Sequence, residues 1–134
     1  MNSDNVNLST GLKIAIFITA FQAWRISALA FLTQVGDTLP EFWGMAFRGD
    51  SFIAITALPV AYLLWKHRNL QVWTVGIIWQ SLGFADLYFA LESQFIHPVA
   101  DISYFVIPAG MIMHSLALYL IFRNHDHYFE LQRH

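Results

Sequence analysis

The stretch F-R-G-D-S-F-I-A-I-T-A-L-P-V-A-Y-L-L-W, Phe47 to Trp65, decides how this chain is read. Its last fifteen positions are almost wholly apolar, yet Arg48 and Asp50 stand at its head. Extended back to Phe42 it is long enough to cross a membrane as a helix. Three more runs share its character: Leu12 to Thr33, Leu70 to Leu91 and Ile102 to Phe122. Each approaches the roughly 20 residues that span about 30 Å of hydrocarbon.

Composition points the same way. Of the 134 residues 57% are hydrophobic and 12% charged, against about 25% charged in an ordinary soluble domain. Backbone polar groups in lipid must be satisfied within their own segment, which excludes open strands. The runs also lack the alternation over roughly 10 residues that marks a barrel strand. The expected fold is all-α: one polytopic membrane domain over residues 1–134. Its four transmembrane helices, approximately 12–33, 42–65, 70–91 and 102–122, form an up-down antiparallel bundle. No soluble domain, linker or internal repeat interrupts them.

The absence of cysteine removes disulfides, thiolate nucleophiles, iron–sulfur clusters and Cys-based zinc sites. A net charge of −2 leaves no basic patch for a nucleic acid. No cofactor is expected. Ala28-Leu29-Ala30 has the small-residue form of a signal cleavage site. However, no basic residue precedes Lys13, and Gln22 and Arg25 interrupt the apolar core, so helix 1 reads as retained.

Orientation follows from the loop cations. Lys13, Lys66, Arg68, Arg123 and Arg133 fall on one side, while the 1–2 and 3–4 connections carry acids only. The expectation is a multi-pass protein of the bacterial cytoplasmic (inner) membrane with both termini cytoplasmic. Membrane lipid surrounds it, and a homo-oligomer or a membrane complex is its natural partner. Thr38 and Glu41 have capping-box spacing before helix 2, and Asp101 is the expected N-cap of helix 4. Pro59 and Pro108 should kink helices 2 and 4. Trp24, Trp43, Trp65, Trp73, Tyr62, Tyr88 and Tyr104 lie mostly near helix ends, as an interfacial belt does.

The informative residues are the polar ones within the runs. A rise of about 1.5 Å per residue places Arg25, Arg48, Asp50 and Asp86 in one layer of the outer half. Left unpaired, four such charges cost about 10–14 kcal/mol on insertion scales. Residues two apart on a helix diverge by about 200°, so Arg48 and Asp50 do not face each other. Asp50 shares a face with Ala54, Ala57 and Ala61, small residues that let another helix approach. It therefore points inward, with Arg25 as its expected partner. Arg48 is assigned to the rim, where it snorkels or reaches Asp86 or Glu92. Gln22, Thr56, Gln80 and His114 form a second, uncharged layer at mid-depth. His114 is the one group within a span whose ordinary pKa lies near neutrality.

Interhelical glue is the plainest role for these groups, at about 0.6 kcal/mol each and up to about 2. Intramembrane ionisable residues are equally a functional signature. The candidate ligand or proton-site residues are Arg25, Asp50, Asp86, His114, Gln22 and Gln80. They fit a non-enzymatic membrane component: a small transporter, a proton-handling element or a complex subunit. The alternative is a membrane-embedded enzyme or redox subunit using His114, as a haem ligand paired across a homodimer. No H-E-x-x-H or G-x-S-x-G motif supports hydrolytic chemistry. His125 and His127 give an H-x-H in the tail without a second ligand pair, so the tail reads as a solvated amphipathic end. Arg48-Gly49-Asp50 is flanked by Phe47 and Phe52, which argues against an adhesion tripeptide.

Three segments carry a resemblance. They are Gly49-Asp50 followed by A-L-P-V-A, W-Q-S-L-G-F-A-D-L in helix 3, and I-P-A-G-M-I-M-H-S-L in helix 4. The chain resembles a group of small bacterial four-helix integral membrane proteins of uncharacterised function. The resemblance implies the fold and no activity. Phe47-Arg48 stands where that group has Ala or Pro-Ala-Gly, which makes Arg48 a local feature.

Overall fold

Local chemistry sets the helix starts. The Ser9 hydroxyl accepts the Leu12 N–H at 3.1 Å and opens α1, Thr10–Phe21. The chain then tightens into a 3₁₀ turn, Gln22–Arg25. Helix α2 is Trp43–Lys66 and α3 is Leu70–Ile96. Asn69 caps α3 by accepting from the Val72 N–H at 2.9 Å. Helix α4 is Ser103–Arg123, and a single turn, α5, covers Asp126–Phe129. The computed structural model describes residues 8–27, 43–98 and 101–129, with only the backbone for 43–47. Helix accounts for 89% of these residues, with no strands among them.

Two sequence expectations are corrected here. Helix α3 does not stop at Leu91 but continues to Ile96, because Ser93 and Gln94 are still buried. It ends at His97, whose backbone is extended (φ −134°) ahead of Pro98, and a residue before proline avoids the helical region. Asp101 is not a side-chain cap. Helix α4 is entered through helical Ile102, and only the Asp101 carbonyl takes part, accepting from the Tyr104 N–H at 3.2 Å. The Thr38–Glu41 capping box and helix 1 beyond Ser27 lie outside the described residues. Pro59 and Pro108 both sit inside their helices.

Helix α1 packs on α2 and α4, α3 packs on α2 and α4, and the α3–α4 pairing is the most extensive. Small residues make these approaches close: Ala15, Ala57 and Ala117 are wholly buried. A Cβ on Gly110 would come within 2.7 Å of Leu87 Cδ1. Leu12, Ile53, Leu64 and Ile121 fill the core between the helices, while many other large side chains point outward, with Phe17, Ile55, Leu58, Phe89, Phe105 and Ile112 all exposed, Phe105 to 78%. Among the described residues two helices, α3 and α4, are long and apolar enough to cross a membrane.

The end where α2 turns into α3 is closed by the C-terminal segment, which corrects the reading of a solvated tail. Tyr128 is fully buried, and its hydroxyl donates to the Leu64 carbonyl at 3.1 Å. That carbonyl belongs to the last turn of α2, where helical partners run out. Burial pushes the Tyr128 phenol above its ordinary value, against an opposing pull from Arg68. Trp73 meets Phe129 edge-on at 5.5 Å between ring centroids, so it packs in this end rather than only marking an interface. Ser9 donates to Asn124 Oδ1 at 2.6 Å and ties the start of α1 to the end of α4.

Candidate functional site

The site grows from a three-residue spacing. Side chains at i and i+3 eclipse on a 3₁₀ turn, so Gln22 and Arg25 stack on one face, and Thr19 continues it. All three are buried, Arg25 to 2% exposure. A lone guanidinium at that depth is costly unless charge and hydrogen bonds meet it.

Both are present. Arg25 Nε donates to Asp50 Oδ1 at 2.5 Å, and Nη2 donates to Asp86 Oδ2 at 2.5 Å. Nη2 also contacts Asp50 Oδ1, so both carboxylates share one nitrogen. The expected Arg25–Asp50 contact forms. The expected reach of Arg48 to Asp86 or Glu92 does not describe Asp86, which turns to Arg25, while Arg48 is exposed. Gly49 explains this choice. A Cβ there would overlap the Asp86 carboxyl group, so the glycine between Arg48 and Asp50 is the seat that α2 offers to a side chain of α3.

His114 of α4 completes the centre. Its ring lies against Gly83, where a Cβ would come within 2.5 Å of Nε2. Nε2 faces Arg25 Nη1 at 3.4 Å, and Nδ1 faces Gln80 Oε1 at 2.7 Å. Donor counting fixes the polarity of this chain. Arginine only donates, so His114 Nε2 is the acceptor and Nδ1 carries the proton toward Gln80. At the far end the Thr19 hydroxyl donates to the Ala15 carbonyl at 2.8 Å and accepts from Gln80 Nε2 at 2.7 Å. Both ends give the same direction and one neutral tautomer of His114. The ring also meets Trp79 at 5.6 Å, and Trp79 Nε1 donates to Thr56 at 2.8 Å.

Of the six candidates from sequence, five thus form one connected network: Arg25, Asp50, Asp86, His114 and Gln80. Gln22 is the exception. It is fully buried, and neither amide atom has a hydrogen-bond partner among the described residues. Thr19, Trp79 and Gly49 were not among the candidates. Thr19 was detectable from its spacing to Gln22 and Arg25; the parts played by Gly49 and Trp79 depend on neighbouring helices and left no local signal.

The centre holds one cation against two carboxylates. The Asp50 and Asp86 side chains are 21% and 12% exposed, so the acids are its reachable side and Arg25 lies behind them. No group of three or more His, Asp or Glu residues is placed to hold a metal among the described residues. A haem iron does not fit His114, whose two ring nitrogens face Gln80 and Arg25. An open groove of about 540 Å³ between α3 and α4, beside Pro108, is almost wholly apolar and takes in none of the charged groups. No family model matches the chain, and no curated protein or solved structure matches it.

Proposed function

We propose that this chain is a multi-pass protein of the bacterial cytoplasmic membrane whose polar centre handles a proton or a small cationic solute. Helix 1 and α2 join α3 and α4 as spans, both termini lie on the cytoplasmic side, and the protein acts as a small transporter, proton-handling element or complex subunit. The distribution of side chains supports the membrane setting. Many large apolar side chains face out, while Arg25, Gln22, Gln80 and His114 are buried beside an apolar core, an outer surface that water disfavours. The loop cations support the orientation.

The observation that carries the functional reading is the single buried guanidinium shared by carboxylates from two other helices. Pure glue would call for balanced charge. Here one negative charge is in excess, on the side of the cluster that is partly accessible. A centre of that composition attracts one positive charge and is not neutral without it.

The test is dye-monitored proton flux in proteoliposomes. Wild type should conduct or exchange protons, and Asp86→Asn and His114→Ala should lower the rate at least tenfold. Flux unchanged in both variants removes these residues from the path.

A further inference from the structure

We infer that the centre binds one hydrated monovalent cation of the sodium class, held between the Asp50 and Asp86 carboxylates and the Gln22 amide. The inference rests on the proposed cation- or proton-handling role and names its ligand.

Two independent features converge on this site. The first is charge. Arg25 meets both Asp50 and Asp86, and the remaining cation of the layer, Arg48, is exposed. The other Lys and Arg residues, Lys13, Lys66, Arg68, Arg123 and Arg133, belong to the opposite end by sequence. The second is the orphaned amide. Gln22 is bracketed along its face by Thr19, bonded to Gln80, and by Arg25, bonded to Asp86. It shares their face one turn from the Arg25 guanidinium, fully buried, and neither amide atom has a hydrogen-bond partner among the described residues. A buried polar group in that state calls for an ion or water as its partner.

A proton answers the first feature and leaves the Gln22 amide to a separate water. A cation with its water answers both. The ion neutralises the excess charge and takes the amide oxygen as a ligand, while its water accepts from the amide N–H. The donors are hard oxygens, which suit a small hard cation. A divalent ion would overcompensate the charge of two carboxylates already facing Arg25.

Thermal unfolding of detergent-purified protein in sodium chloride, against N-methylglucamine chloride at equal ionic strength, tests the site. Sodium should raise the midpoint saturably, as a ligand of the native state does. Asp86→Asn should abolish the response, and Gln22→Leu should weaken apparent sodium affinity at least tenfold. Sodium-23 relaxation on wild type and Asp50→Asn provides a second readout should Gln22→Leu fail to fold, with excess broadening expected for wild type only. Equal midpoints in the two salts, a folded Gln22→Leu with wild-type sodium response, or equal broadening in both proteins overturns the inference. Liposomes prepared without sodium separate the two readings. Flux that depends on Asp86 while no sodium response exists leaves proton handling standing and removes the cation site.

Discussion

At one end of the helices, Tyr128, Ser9 and Asn69 close helix termini with single neutral hydrogen bonds. Toward the other, Arg25 gathers side chains from three helices into one buried contact. The first arrangement is modular. Removing one bond strands a single neutral carbonyl or amide, and the cost stays local. The second is collective, because removing Arg25 leaves two carboxylates buried beside each other. The contrast separates two kinds of fastening: the neutral caps act one at a time, whereas the shared guanidinium and its two acids stand or fall together.

The strongest attempt to break this contrast is Arg25→Leu. Stranding buried charges costs about 3–5 kcal/mol, so the variant should unfold at much lower temperature or fail to purify as a single species. Adding Asp50→Asn and Asp86→Asn should recover much of the loss, since removing all partners of a buried polar contact costs less than removing one. Arg48→Ala, an exposed position in the same layer, should stay within about 0.5 kcal/mol. If Arg25→Leu behaves like Arg48→Ala, the centre contributes no more than the caps do.

A smaller effect sharpens the link between packing and the site. Gly83→Ala drives a methyl group into the His114 ring, and overpacking of that kind costs about 1–3 kcal/mol. Combining it with His114→Ala should be clearly non-additive in a double-mutant cycle, since the methyl then enters the space the ring filled. Additive losses would place the strain elsewhere.

The smallest effect belongs to the closed end. Tyr128→Phe removes the bond to Leu64 and should cost about 1–2 kcal/mol. Its pH dependence has a definite sign. The folded phenol lies above its ordinary value, so the native state keeps the proton that the unfolded chain releases near about pH 10. Its stabilisation is complete below that pH and is lost as pH rises further. Unfolding curves between neutral and alkaline pH should therefore fall less steeply for Tyr128→Phe than for wild type.

Much of this was legible in the residues. The long apolar runs announced helices, and the 200° between Arg48 and Asp50 sent one outward and the other toward Arg25. Both are properties of a single helix, so the order of residues carries them. Asp86 was harder to place. From sequence only Arg48 was offered as its partner, and its turn to Arg25 depends on Gly49 admitting the carboxyl group. His114 stood out as a titratable group, but its tautomer followed only once Gln80, Thr19 and Arg25 were seen in line. The tail was misread because its hydrophilic residues conceal one tyrosine that folds back onto α2.

The sequence by itself determined an all-helical chain, the inward face of Asp50 and its complement on helix 1, because periodicity and charge sign are local. Only the tertiary structure decided that two acids share one arginine, that Gln22 is buried with no hydrogen-bond partner among the described residues, and that Tyr128 closes the opposite end. Those outcomes depend on which backbones come close enough for side chains to meet, and that distance is set by glycines and alanines whose neighbours lie far away along the chain.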